Sequence, residues 1–109
     1  DAKENLFVHA VGDAGPGGAH DAYDVSVKTG PEGNVICKLR FQKAGEINPG
    51  ITNEALLAVV ADRLIGFEGG KFNCPENLVA LIGVMSAIEA LKMRTRNRVK
   101  RGVEGKLEK

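Results

Sequence analysis

Residues 52–102 read TNEALLAVVADRLIGFEGGKFNCPENLVALIGVMSAIEALKMRTRNRVKRG, and this stretch decides the fold. Leu56, Val60 and Leu64 recur at four-residue spacing. Apolar residues at that spacing line one face of a helix. The stretch therefore predicts an amphipathic helix, which Thr52 or Asn53 can cap at its beginning through a side-chain oxygen.

A second helix is predicted after a glycine-rich break. Gly69-Gly70 ends the first helix, and Pro75 suits the first position of the next one. From there an apolar stripe continues toward Leu91, and Gly102 is a natural stop. The stripe consists of Leu78, Leu81, Ile82, Met85 and Ile88, with Val79, Val84 and Ala87 off it. The second half is thus predicted to be a helical hairpin whose second helix is long.

The first half of the chain predicts strands. Leu6–Val11, Tyr23–Lys28 and Val35–Phe41 are short runs that are apolar or alternate with period two. The turn-rich residues 29–34 favour a hairpin between the second and third runs, and residues 12–20 form a glycine-rich linker. We therefore expect a three-stranded antiparallel β-meander.

Together these elements predict an α+β fold. A chain of 109 residues fits a single domain, with a sheet region at 1–47 and a helical hairpin at 52–102. The core of so small a domain is thin, which favours self-association. No apolar run approaches the roughly 18 residues that a membrane span needs, and no signal peptide is visible.

Few residues favour metal or catalytic chemistry. The two cysteines, Cys37 and Cys74, are too few for a disulfide scaffold, and we expect both as reduced thiols in the core. His9 and His20 are the two histidines, and no spacing predicts a metal cluster. We also find no nucleophile beside a general base. The sequence therefore predicts neither a metal nor a cofactor, and no enzyme.

Charge is concentrated at the C-terminal end. Residues 92–109 contain eight Lys or Arg against two Glu, whereas residues 1–91 contain seven against twelve Asp or Glu. Arg94, Arg98 and Arg101 are four and three residues apart, so that they share one face of a helix. Guanidinium groups donate paired hydrogen bonds to phosphate oxygens. This arginine stripe predicts a local site for an anionic ligand.

The hairpin resembles that of the phage anti-Thoeris proteins. The residues that carry the resemblance are Thr52 to Leu57, Asp62-Arg63-Leu64, Gly66-Phe67, Phe72, Cys74, Glu76-Asn77, Ala80-Leu81, Arg94-Thr95, Arg98 and Arg101 to Gly105. Anti-CBASS sponges share the hairpin. The resemblance implies a non-enzymatic sponge in the cytoplasm of an infected bacterium. Such a protein sequesters a gcADPR-type cyclic ADP-ribose isomer, made by a TIR-domain sensor, and so blocks the Thoeris effector.

The resemblance also implies which residues bind the ligand. Arg94 and Arg98 are the candidates for the pyrophosphate, with Arg101 as an assisting group on the same face. Phe67 is the candidate for stacking on the adenine, and Asn77 for hydrogen bonds to a ribose hydroxyl or an adenine edge.

Further residues are candidates of lower rank. The glycine-rich linker is a candidate lid over the ligand, with His20 or Tyr23 adding a hydrogen bond, and Phe72 is a second aromatic candidate. Some members of the family bind cyclic di- or trinucleotides at separate sites in a hexamer. For such a second nucleotide site the candidates are Arg63 and Thr95.

The spacing of the candidates predicts self-association. Asn77 and Arg94 are seventeen residues apart on one predicted helix, which is roughly 25 Å. One cyclic ADP-ribose molecule cannot span that length. A shared pocket therefore needs two chains, and we expect a homodimer or a hexamer built as a trimer of dimers.

Other interpretations remain open. An arginine stripe near the end of a helix is also typical of a solvated face that complements the helix dipole. Phe67 and Phe72 can instead plug the end of the hairpin. The competing functions are a cyclic-nucleotide-degrading enzyme and a nucleic-acid-binding module. The acidic first part of the chain and the lack of a recognised motif disfavour the latter.

Overall fold

The structure, a computed structural model, describes residues 6–27, 34–43 and 49–102. Three strands precede two helices, which confirms the predicted α+β class. The chain divides into two compact units, Asp1–Ile51 and Thr52–Lys109.

The first unit contains a three-stranded antiparallel sheet in the order β1-β2-β3. The strands are β1 (Leu6–Ala10), β2 (Ala22–Val27) and β3 (Asn34–Arg40), each within a residue or two of its predicted bounds. Most of the predicted turn at 29–34 lies outside the described residues. After β3, Phe41 pairs in parallel with Ile51 through an isolated bridge.

One face of the sheet is apolar and largely exposed. Val8 lies opposite Val25, which lies opposite Cys37 on the next strand. Side chains alternate between the faces of a strand, so that these three residues share a face. Val8 keeps 67% of its surface exposed, and Leu6, on the same face, keeps 53%. In the single chain this face is therefore incompletely covered.

The second unit is the predicted helical hairpin. Helix α1 runs over Asn53–Glu68 and α2 over Pro75–Arg101, and the two helices pack against each other. The hydroxyl of Thr52 accepts a hydrogen bond from the Ala55 amide at 3.1 Å, so that Thr52, of the two predicted candidates, is the cap. Gly102 ends α2 in the left-handed conformation at φ 72°, as its position predicts. Among the described residues, neither helix is long and apolar enough to cross a membrane.

The helices meet along a seam whose residues are spaced alternately by three and four. On α1 the seam residues are Leu57, Ala61 and Leu64, beside which Leu56 is half-buried as well, and on α2 they are Leu81, Val84, Ile88 and Leu91. This spacing is that of coiled-coil packing, in which one stripe of each helix interlocks with the other.

The predicted apolar stripe of α2 was partly wrong. Leu78, Ile82 and Met85 are 46–59% exposed, whereas Val84, which was expected off the stripe, lies in the seam. On α1, Val60 is 39% exposed and Ala61 takes its expected place. The helices carry apolar residues on more than one side, so that periodicity alone does not choose the face that packs.

The single chain has almost no interior in its described part. The buried apolar residues there are Ala61 and Ile88, at 5% and 8% exposure. Several outer residues of the hairpin keep more than half of their surface in solvent, among them Val59, Ile65, Val79, Ile82 and Met93. Exposed apolar surface of this extent is typical of a chain that packs against another.

Candidate functional site

The arginine stripe lies on a part of α2 that extends beyond α1. Helix α2 has 27 residues and α1 has 16. In the hairpin, the beginning of α1 therefore lies beside about residue 90 of α2, and residues 91–101 form a C-terminal extension of roughly 16 Å. Arg94, Arg98 and Arg101 all lie on this extension. At about 100° per residue they fall within roughly 60° of one another around the helix axis.

The three arginines differ in burial. Arg98 is only 6% exposed, whereas Arg94 and Arg101 are exposed. Arg98 continues the seam spacing beyond Leu91 by way of the half-buried Thr95. Arg98 and Arg101 both have interaction partners within the chain. Of the stripe, Arg94 and Arg101 are the exposed candidates, whereas Arg98 is part of the fold as well.

A second basic row lies on the far side of the extension. Lys92, Arg96 and Lys100 are exposed and follow each other at four-residue spacing. Arg96 lies about 160° around the helix from Arg94. Lys92 forms a surface ion pair with Glu89 at 3.7 Å. Like the stripe, this row consists of three basic residues near the C-terminal end of α2. It lies on the opposite side of the helix.

The aromatic candidates and Asn77 lie at the opposite end of the hairpin, where α1 turns into α2. Phe67 is in the last turn of α1 and is 39% exposed, while Phe72 lies in the connection and is 68% exposed. The side-chain amide of Asn77 donates a hydrogen bond to the Phe72 carbonyl at 3.5 Å. The Cys74 amide likewise donates to the Glu68 carboxylate at 3.4 Å. These bonds hold the turn that we call the tip, residues 67–77.

Two basic residues lie over the aromatic rings of the tip. The guanidinium carbon of Arg63 is 5.6 Å from the centre of the Phe67 ring, and the ammonium of Lys71 is 5.5 Å from that of Phe72. Both distances are within the range of cation–π attraction. The sequence analysis missed these pairs, although the four-residue spacing of Arg63 and Phe67 on one helix is a signal that predicts the first.

The candidates thus form two clusters rather than one. Helix α2 is continuous from Asn77 to Arg94, which confirms the predicted separation of roughly 25 Å along its axis. The tip and the arginine stripe of one hairpin therefore cannot touch the same small ligand. Arg63 and Thr95 are separated in the same way, since Thr95 lies on the extension and Arg63 lies near the tip.

The lower-ranked candidates of the first unit contact each other. The Tyr23 ring stands edge-on to His20 at 6.3 Å and to Phe41 at 5.9 Å. In the described part of the chain, Nδ1 of His20 is buried without a hydrogen-bond partner. Within the glycine-rich linker, the Gly15 amide donates to the Ala19 carbonyl at 2.8 Å, which closes a turn. Tyr23 and His20 are therefore at least partly packing residues.

The described residues offer no group of three or more His, Cys, Asp or Glu side chains that can hold a metal ion. Both cysteines are free thiols, as expected. The expectation that both lie in the core was wrong for Cys37, which is exposed because it lies on the uncovered face of the sheet. Cys74 is half-buried at the beginning of α2.

Comparison with known proteins supports the resemblance read from the hairpin. No protein-family model matches the chain. A curated protein, "Thoeris anti-defense 1" from Bacillus phage SBSphiJ7, is 45% identical over 60 residues, which is 55% of this chain. The chain spans 42% of the length of that relative. The predicted resemblance is confirmed over these 60 residues, in which the chain is similar to this phage anti-Thoeris protein.

Proposed function

We propose that this protein counters Thoeris defence by binding a small signalling nucleotide and withholding it from its effector. The ligand class is a gcADPR-type cyclic ADP-ribose isomer made by a TIR-domain sensor, and the place of action is the cytoplasm of the infected bacterium. The name of the related phage protein supports the anti-Thoeris role. The observation that carries the binding proposal is the arginine stripe on the extension of α2.

The chemistry of such a ligand matches the two clusters. Its pyrophosphate carries two negative charges, and Arg94 presents an exposed guanidinium for paired hydrogen bonds to phosphate oxygens. Arg98 and Arg101 add positive charge on the same side of the helix. Its adenine needs an aromatic face, which Phe67 offers at 39% exposure. Because the side-chain nitrogen of Asn77 donates to the Phe72 carbonyl, its side-chain oxygen is the atom that accepts a hydrogen bond from the ligand.

Two copies of the chain are needed to bring the clusters together. A two-fold dimer that packs two hairpins antiparallel places the tip of each beside the extension of the other, which forms two equivalent pockets. The exposed apolar side chains on the outside of the hairpin, such as Val79 and Ile82, supply surface for this packing. A hexamer is a further assembly of three such dimers.

By the family resemblance, the proposal extends to a second site for cyclic di- or trinucleotides. Its candidates are Arg63 and Thr95. Because these two residues lie toward different ends of the hairpin, this site also requires several copies.

The first test compares two arginine variants of one helix. We expect Arg94→Ala to weaken the binding of gcADPR by roughly 30- to 100-fold, because it removes a charge-assisted paired contact. Arg96→Ala is the matched control, since it removes the same charge two residues away but on the far side of α2. It should change the affinity by less than about threefold. The measurement is isothermal titration calorimetry.

Equal losses in both variants would contradict the pocket. They would indicate diffuse attraction of a polyanion to the whole basic end, which random duplex DNA in a salt titration would then reproduce.

The alternative of an enzyme is tested separately. After incubation, gcADPR is released from the protein by heat and analysed by chromatography. Intact nucleotide supports a sponge, and an altered nucleotide contradicts it.

A further inference from the structure

Arg63 and Phe67 form a stacked pair near the tip. They are one turn apart on α1, and the guanidinium carbon lies 5.6 Å from the ring centre. Both residues are exposed, so that neither is fixed by burial. The contact itself is therefore what restricts the two side chains.

We propose that Arg63 is a positioning residue for Phe67. It covers one face of the ring and holds the ring in place, so that the opposite face is presented to the base of the nucleotide. This inference rests on the proposed function, because it deepens the role of the same stacking residue. For the cyclic ADP-ribose ligand it assigns Arg63 to the adenine end rather than to a phosphate, a role separate from its candidacy for the second nucleotide site.

The physical reason has two parts. A phenylalanine at 39% exposure loses rotamer freedom when a base stacks on it, and a ring already held by Arg63 loses less. In addition, a cation on one face withdraws electron density from the ring, which favours an electron-rich purine on the other face. Both effects act through the ring and disappear when the ring is removed.

Phe72 is the less suitable platform for the same task. It lies in the connection between the helices, is 68% exposed, and is paired with the neighbouring Lys71. The lysine ammonium is a point charge on a flexible stem, whereas the arginine fork is planar and lies flat against a ring. Helix α1 also anchors both members of the Arg63–Phe67 pair at a fixed spacing.

The test is a double-mutant cycle in the full chain, with gcADPR as the probe and calorimetry as the readout. Arg63→Met keeps the length of the stem and removes the cation. We expect it to weaken binding by roughly two- to fivefold in the wild-type background. In a Phe67→Leu background the same change should alter affinity by less than about 1.5-fold. Arg63→Lys should restore part of the loss.

Two outcomes of the cycle overturn the inference. The first is a wild-type affinity in Arg63→Met, and the second is an equal weakening of binding in both backgrounds. The latter result identifies Arg63 as a direct phosphate contact, as in the second nucleotide site. Because the side chain of Arg63 is exposed, the folded state of the variants is not expected to change.

A measurement without ligand separates this inference from the proposed function. In the nuclear magnetic resonance spectrum, the ring current of Phe67 should shift the Arg63 side-chain methylene protons upfield, and Phe67→Leu should abolish the shift. Absence of the shift overturns the pair. A wild-type chain that shows the shift but binds no nucleotide overturns the proposed function, and with it the positioning role. A chain that binds but shows no coupling overturns the positioning role alone.

Discussion

Arg98 is an unusual residue because it is an arginine at 6% exposure on a small chain. Burial of a charge costs free energy unless partners replace its water, and Arg98 does have a partner within the chain. Residue type alone disfavours this burial, since arginine is rarely buried. The spacing from Leu91 through Thr95 to Arg98 is the signal that predicts its place on the seam stripe.

We predict that Arg98→Ala destabilises the fold. Removal of the buried guanidinium leaves its partner unsatisfied, and the free energy of unfolding should fall by about 1–3 kcal/mol. Arg94→Ala, at an exposed position four residues earlier, should change it by less than about 0.5 kcal/mol. The measurement is urea denaturation followed by circular dichroism at a fixed chain concentration. Equal stability of the two variants would show that the burial of Arg98 contributes nothing to the fold.

This difference decides which variant is the better test of binding. In Arg98→Ala, a loss of affinity has two causes, the lost contact with the ligand and the lower stability of the fold. In Arg94→Ala, a loss of affinity results from the lost contact alone. Because Arg94 is exposed and Arg98 is buried, Arg94→Ala is the variant to use in the binding test.

At the scale of the elements, the sequence predicts where the helices begin and end better than which way they face. Pro75 and Gly102 act locally, through a fixed φ and a left-handed φ, so that their neighbours do not alter the prediction. The packed face depends on the partner helix instead. Ile82 and Val84 are both apolar, and only the three-dimensional arrangement shows that Val84 is in the seam and Ile82 is outside it.

Two glycines of α2, one at its C-terminal end and one inside it, allow a paired stability test. Gly102 has φ 72°, where a β-carbon is strained, so that Gly102→Ala should lower the free energy of unfolding by about 1 kcal/mol. Gly83 lies inside α2, and an added β-carbon there meets nothing within 4 Å. Gly83→Ala should therefore raise the free energy by about 0.5–1 kcal/mol.

Chemical denaturation of both glycine variants at one chain concentration checks these two changes in the free energy of unfolding. We expect the two changes to have opposite signs. A stabilising Gly102→Ala would mean that α2 does not end in a left-handed residue.

At the scale of the whole molecule, the candidate site is divided by the length of one helix. The sequence predicts both the residues and their separation, because a continuous helix converts residue number into distance. It does not predict which copy supplies which cluster, since that depends on how the exposed apolar surfaces pack. The described part of the single chain buries only Ala61 and Ile88 among its apolar side chains, which favours association with another copy.

The central claim is that the tip of one chain and the arginine stripe of another form each pocket, and complementation tests it most directly. One chain carries Phe67→Leu and Asn77→Ala, and the other carries Arg94→Ala. The two are co-expressed with different affinity tags, and particles that contain both are purified through both tags.

Each variant alone should bind gcADPR weakly, because every pocket in its dimer lacks one cluster. In the mixed dimer, one pocket combines two defective clusters and the other combines two intact ones. Calorimetry should therefore recover wild-type affinity at about one site for every two chains. No recovery of tight binding in the mixed dimer would contradict the account, because it would mean that tip and stripe act within a single chain or not at all.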